Sequence, residues 1–388
     1  MKEVGIYIHI PFCKSKCYYC DFVSYSDKSE LIEDYIKWLN VEIKEVGKGI
    51  KQDFENGIND MVKVKTIYIG GGTPSYIESS HIVEVIETIK KNYIIDEKAE
   101  ITIEVNPGTV TKEKLLDYKK TGINRLSIGL QETNNCNLKT IGRIHTYEDF
   151  LSTYNLAKEV GFENINADLM LGLPNQTIED LKKSLEKLLK LDLKHISIYS
   201  LILEENTKLE RLVNEGKLKL TDEEIERKMY WFVKNKLEEA GFIHYEISNF
   251  SKVGYESKHN LDCWEQKEYM GFGVASHSYT DDTRFSNIDD IEVYIKNFKN
   301  GQDIDNLIFH EKQTKQSKMK EYMLLGLRKI DGVSIQNFKN KFLENPIYLY
   351  KDEINKLVKD DLLEVDGDNI KLTKKGIDLA NLVWQEFV

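Results

Sequence analysis

The stretch Ile8–Phe22, IHIPFCKSKCYYCDF, decides how the rest of the chain is read. It sets Cys13, Cys17 and Cys20 at C-x3-C-x2-C spacing. Three thiolates so close in sequence can anchor one metal centre from a single loop. Structural zinc takes four ligands in a tetrahedron, commonly from paired knuckles, and no second pair follows here. A cubane [4Fe–4S] cluster has four irons, with Cys as the usual ligand. Three Cys leave one iron without a protein ligand, open to chelate a small molecule. A structural zinc site, or three unrelated thiols, is the competing reading. It is disfavoured because Cys is otherwise sparse and such a group of thiols points to metal.

The bulk composition sets limits. With 388 residues the chain is long enough for one large domain and a smaller one. A formal charge of −11 argues against nucleic acid as the main partner, since phosphate binding needs a concentrated basic surface. Cys136 and Cys263 stand apart from the motif, so no disulfide framework is suggested and the compartment reads as reducing. No segment approaches the roughly 18 apolar residues of a membrane span. The start, MKEVGIYIHIPF, lacks a signal-peptide pattern. The expectation is a cytoplasmic protein not integral to a membrane, with peripheral membrane contact left open.

Strands and helices alternate outward from the Cys loop. Strands are predicted at Val4–Ile10, Lys65–Ile69, Glu100–Val105, Arg125–Leu130, Asn164–Leu171 and His195–Leu201 from their β-branched and aromatic runs. Helices are predicted between them at Glu30–Val46, His81–Lys91, Thr111–Thr121, Tyr147–Val160 and Ile178–Leu191. This rhythm implies a parallel sheet with right-handed crossovers and a site at the C-terminal strand ends. After a long helix at Asp222–Ala240, a strand is predicted at His244–Phe250. Asp281–Asp305 reads as polar connecting structure with one helix at Ile291–Phe298, and helical patterns recur from about Phe309. Leu362–Val365 and Asn369–Leu372 flank Asp366-Gly367-Asp368, a hairpin signal, so the C-terminal part reads as winged-helix-like. The expected division is 1–240, 241–304 as an extension and connector, and 305–388.

The Cys spacing, followed by Tyr19 and framed by IHIPFC and CDF, resembles the radical S-adenosylmethionine (SAM) superfamily. The resemblance implies an α/β fold, a partial open (β/α)6 barrel. It also implies that the fourth iron binds the amino and carboxylate groups of SAM. Gly70–Pro74, GGGTP, one β/α unit later, resembles the element of that superfamily that contacts the methionine amino group, here Gly71, Gly72 and Thr73. On its own it is a weak signal, since a glycine run also makes a plain tight turn. Glu104 in EVNPG, Gln131 in SIGLQ, Arg143 in GRIHT and Asp168 in ADLMLGLP follow in order. Singly each is an ordinary polar loop residue. Together they resemble the oxygen-independent coproporphyrinogen III oxidase-like branch, which implies contacts to SAM or to a second SAM nearby. Tyr7 and Tyr19 match SAM-proximal aromatics of that branch; a packed core residue is the plain reading of Tyr7.

Two details select a sub-branch. Authentic coproporphyrinogen oxidases resemble C-x3-C-x2-C-x-C, and the place of the extra Cys is Phe22 here. His259–Trp264, HNLDCW, followed by EYMGFGVASHSY, resembles the H-N-x-x-Y-W signature of the heme chaperone (HemW-type) branch, departing from it at Cys263 and Ser276. The resemblance implies heme as a further cofactor and partner, with an acceptor apo-hemoprotein, soluble or membrane-associated. Axial-donor candidates are His259, Cys263 and His277, with Trp264, Tyr269 and Phe272 as wall; structurally hydrogen-bonded histidines are the plainer reading of each. The implied function is a heme chaperone without coproporphyrinogen oxidase activity. The alternative is the oxidase itself, an oxidoreductase of porphyrin biosynthesis that decarboxylates propionates to vinyl groups. A third reading is another radical SAM reaction on a tetrapyrrole.

Overall fold

The computed structural model describes residues 1–57, 60–300 and 308–388. Its frame is one mixed sheet. Six strands carry it: β1 (Lys2–Ile10), β2 (Val62–Gly71), β3 (Ile94–Val105), β4 (Arg125–Gln131), β5 (Asn164–Leu171) and β6 (His195–Ser200). They lie side by side in sequence order, each parallel to the next. Ile6, Ile8 and Ile10, alternate residues on one face of β1, have no exposed surface, so that face is fully covered. The crossovers are α1 (Ile32–Glu55), α2 (Ser79–Asn92), α3 (Lys112–Lys120), the short α4 (Asn135–Thr140) with α5 (Tyr147–Val160), and α6 (Ile178–Leu188). Local signals fix their ends. Thr146 and Thr177 form capping boxes with Asp149 and Asp180, and Gly161 closes α5 with a left-handed φ of 91°. The six expected β/α units are present, and among the described residues the sheet stays open, with β12 and β7 at its two edges.

Two edges differ from the sequence reading. The single strand expected at His244–Phe250 is a hairpin, β7 (Ile243–Glu246) and β8 (Asn249–Ser251), set antiparallel on β6. The Glu246 carboxylate accepts from the Ser248 backbone and the Asn249 amide, folding the chain back within four residues. On the other side, β9 (Tyr269–Phe272) runs parallel to β1. It is followed by β10 (His277–Thr280), β11 (Thr283–Asn287) and β12 (Ile308–Lys312), all antiparallel. Thr283–Asn287 is therefore sheet, not connector. The turn before it places Asp281 and Asp282 at φ 48° and 59°, the left-handed pair of a tight hairpin. The expected helix is present at Ile291–Lys299. The rest of the expected connector, 301–305, and the boundary drawn at 304/305 lie outside the described residues.

Helices Lys315–Gly326, Ile335–Phe342 and Lys351–Lys359 pack with a three-stranded sheet of β13 (Val333–Ser334), β14 (Leu363–Asp366) and β15 (Asn369–Leu372). These elements have their own hydrophobic core, from Met319 to Phe387, in the expected winged-helix-like order. They meet the large sheet through Arg284, whose Nε donates to Glu321 at 2.9 Å, and through Arg328, whose guanidinium lies over both Trp264 and Trp384.

A buried carboxyl clamps α1 to the extended edge. Glu42 accepts from the Gly273 amide (2.8 Å), the Tyr294 hydroxyl (2.6 Å) and the Asn287 amide (2.7 Å). Burial pushes its carboxyl up from 4.5 to about 7 despite these bonds. Replacing it leaves three donors unpaired, so Glu42→Ala is expected to destabilise the fold by about 3 kcal/mol near pH 4.5. A raised carboxyl pKa contributes stability fully below its unfolded value and loses it as pH rises through the folded value. The gap between wild type and variant should therefore shrink from pH 4.5 to 7, checked by denaturation across that range; a constant gap contradicts the assignment.

Candidate functional site

The Cys loop leaves the C-terminal end of β1 and is tied down by backbone on both sides. Gly72 donates to the Ile10 carbonyl (2.9 Å) and Thr73 to the Phe12 carbonyl (2.8 Å). Cys13 and Tyr25 close the loop from within, Cys13 N to Tyr25 O at 2.9 Å and Tyr25 N to Pro11 O at 2.7 Å. His9 adds a bond from its Nε2 to the Val23 carbonyl (2.9 Å). The glycines are required by this closeness. A Cβ on Gly72 would stand 3.0 Å from Cys13 Sγ and from Phe12 backbone, and one on Gly71, at φ 111°, would meet the His9 ring at 2.7 Å.

The three thiols line a cavity of about 350 Å³ at the strand ends. Its wall includes Tyr19, Gly71, Gly72, Thr73, Glu104, Gln131, Arg143 and Asp168, so eight of the nine residues expected near SAM converge with the cysteines. Tyr7, the ninth, lines a neighbouring cavity instead, its hydroxyl 3.1 Å from His9 Nδ1; it sits inside β1, three residues before the strand ends. Cys13 is 8% exposed, and its sulfur accepts from Thr73 Oγ1 at 3.4 Å. Burial pushes the Cys13 and Cys20 thiols up, so their thiolates need a positive partner. Among the described residues no three His, Cys, Asp or Glu side chains converge on one ion position.

The electrostatics of the wall are polarised. Arg143 holds Asn106 Oδ1 through Nη1 at 2.7 Å and lies over the Tyr19 ring, while its buried Nε has no partner among the described residues. Burial pushes Glu104 up to about 7, even though Tyr68 donates to it at 2.8 Å. Burial likewise raises Asp168, opposed by Asn166, which donates to it at 2.7 Å. Gln131 ends β4 with φ 70°, a conformation unusual for a side-chain-bearing residue, where the β4–β5 register slips. The Arg143 guanidinium and the carboxyls of Glu104 and Asp168 line one small cavity, which suits a zwitterionic ligand such as an amino acid.

The heme candidates gather in a second cavity, of about 860 Å³. His259, Cys263 and His277 all line it, with Tyr269; Trp264 and Phe272 do not. It shares Phe22, Gly71 and Glu104 with the first cavity. His259 and Cys263 lie on the helix Lys258–Trp264. His259 is 7% exposed, its Nδ1 2.9 Å from Thr66 Oγ1 and its ring stacked on Tyr68. Burial lowers its pKa to about 4 and raises the Cys263 thiol to about 12. Sequence reasoning passed over Tyr68, which lines the first cavity and whose ring backs His259 of the second. Its only signal was an aromatic two residues before the glycine run. Cys136 is exposed on α4, away from both cavities.

Comparison with known proteins agrees with this geometry. Residues 7–188 match the Radical SAM superfamily and residues 313–379 the HemN C-terminal domain. The coproporphyrinogen III oxidase HemN from Escherichia coli, a radical SAM enzyme, has the same fold, with a TM-score of 0.83 at 21% identity over 100% of this chain and 90% of that one. The heme chaperone HemW of Lactococcus lactis is 37% identical over 387 residues, covering 100% of this chain and 98% of its own. That of Bacillus subtilis is 37% identical over 390 residues, 98% of each. The chain belongs to the radical SAM superfamily and, within it, to the family of the heme chaperone HemW.

One substitution probes the loop directly. Gly72→Ala has to displace Cys13 or the Phe12 backbone, at a cost of about 1–3 kcal/mol. In metal-free protein, Cys13 should alkylate more slowly than Cys17 and Cys20, and in the variant this difference should vanish. Timed alkylation read by mass spectrometry checks it; slow Cys13 labelling in both proteins contradicts the clasp.

Proposed function

We propose that this chain is a heme chaperone that carries a [4Fe–4S] cluster and SAM, binds heme, and passes it to an acceptor apo-hemoprotein. The observation that carries the reading is the pair of adjoining cavities, one lined by three cysteines and the other by His259, Cys263 and His277, with Glu104 common to both. The relatives named heme chaperones match along the full chain, which supports it.

The donor set fits the cluster. Cys13, Cys17 and Cys20 would each hold one iron, which needs no convergence on a single ion. The cluster, when bound, supplies an electron and an open iron site for SAM. Arg143, which lines the cavity, would hold the SAM carboxylate, and the backbone at Gly71, Gly72 and Thr73 its ammonium. Glu104, Gln131 and Asp168 offer acceptors for ribose hydroxyls, and Tyr19 packs beside Arg143. Tyr7 sits on the heme side of the wall. The aromatic and sulfur-bearing lining of the second cavity fits heme, whose usual axial donors are His and Cys, and its size is within the range of cofactor sites.

Phe22, at the place of the extra cysteine of the oxidases, sets this chain apart from porphyrinogen decarboxylation. The protein works in the cytoplasm, where thiols stay reduced, and among the described residues no helix is long and apolar enough to cross a membrane. Residues 1–240 would form the SAM-binding partial barrel and 241–304 the extension that carries His259, Cys263 and His277, with β12 (Ile308–Lys312) still part of the large sheet and the C-terminal domain following it.

Anaerobic protein divides the readings. Heme titrated by absorbance should bind at one per chain, and coproporphyrinogen III with SAM and reductant should give no carbon dioxide above background. Efficient decarboxylation would overturn the chaperone reading. Replacing any of Cys13, Cys17 or Cys20 with Ala should abolish the brown iron–sulfur absorbance; variants that keep it contradict the cluster assignment.

A further inference from the structure

The sheet edge made by β10, β11 and β12 lies outside both stretches that match the families, residues 7–188 and 313–379. Its register pairs His277 with Ser286, and Ser286 with Phe309. Directly paired residues of antiparallel strands project to the same face. These three side chains therefore form one row, and all three line the larger cavity. The next residues along, Ser278 and Phe285, line a different cavity on the opposite face, which confirms the pleat. The ends of the row are about 9–10 Å apart, two strand spacings, with only the small Ser286 between them.

Phe309 is 67% exposed and Phe22 64% exposed, and both border this cavity. A single exposed Phe needs no explanation. Two, brought to one cavity from opposite ends of the sheet's sequence, offer a flat apolar rim to a flat apolar ligand. The histidines differ as well. His259 is buried, held by Thr66 and stacked on Tyr68. His277 is exposed at the start of β10.

We infer that His277 is the axial donor and Phe309 the stacking wall for an iron tetrapyrrole laid across this row. His277 would hold the metal and Phe309 would pack against the macrocycle, with room left between them by the small Ser286. The inference rests on the heme-binding reading above and adds which residues grip.

The test is hemin titration by absorbance on the full chain. Phe309→Ala should raise the apparent Kd roughly tenfold, and Phe309→Trp, which keeps a flat ring, should restore it. His277→Ala should shift the Soret and visible bands of the ferric complex. Unchanged far-UV circular dichroism and cluster iron content show that each variant is folded. Wild-type affinity in Phe309→Ala, or wild-type bands in His277→Ala with those bands lost in His259→Gln or Cys263→Ser, overturns this inference alone. A wild-type chain that takes up no heme overturns the functional reading with it.

Discussion

Two backbone hydrogen bonds, Gly72 to Ile10 and Thr73 to Phe12, hold the site together. They lock the loop after β2 against the loop after β1, so the glycine run and the cysteine motif are one structural unit. The contact exists only because Gly72 has no side chain, since a Cβ there would crowd the Cys13 sulfur. It fixes the first anchor of the thiol trio at the strand ends, the place where every parallel strand of the sheet delivers its last residue. The bond from His9 to Val23 and the Cys13–Tyr25 pairing brace the far side of the loop. A long loop that would otherwise be mobile is thereby given a fixed geometry.

The wall opposite the cysteines is arranged to receive charge. Arg143 is positioned by Asn106 with one nitrogen uncommitted, while Glu104 and Asp168 are buried enough to be easily protonated. Burial raises both carboxyls, that of Glu104 to about 7. Glu104 belongs to both cavities, and the Tyr68 that bonds it stacks on His259. The two cavities therefore share a wall made by Glu104 and the Tyr68–His259 pair. The adjacency is a product of the open sheet: β9 adds to the free edge of β1 and carries the antiparallel extension around to the Cys loop.

Much of this was legible before any coordinates. The parallel strands β3 to β6 carry aliphatic residues on one face and polar residues such as Thr102, Ser127, Asn166 and Ser197 on the other, and they sit between capped helices, so periodicity and end signals agree. Tyr147–Val160 and Asn164–Leu171 match residue for residue. Eight of the nine residues the sequence proposes for SAM line one cavity with the cysteines, because Glu104 and Gln131 sit near strand ends and the loops carrying Tyr19 and Arg143 fold over them. The extension was harder to read. In TRFSN the strand alternation is short and polar, and the deciding signal was two aspartates at left-handed φ, which composition alone reads as a connector. Tyr7 lines the neighbouring cavity, a placement that its distance in sequence from Cys13 does not reveal. Phe309 and Ser286 left no signal, since their meaning comes only from register across three strands.

The central claim is an iron centre held by three sulfurs with one position left for SAM. It is tested most directly by electron paramagnetic resonance of anaerobically reconstituted, reduced protein, recorded with and without SAM. The account predicts the signal of a reduced four-iron cluster whose shape changes on adding SAM. A signal indifferent to SAM, or no cluster signal from fully reconstituted protein, would contradict it.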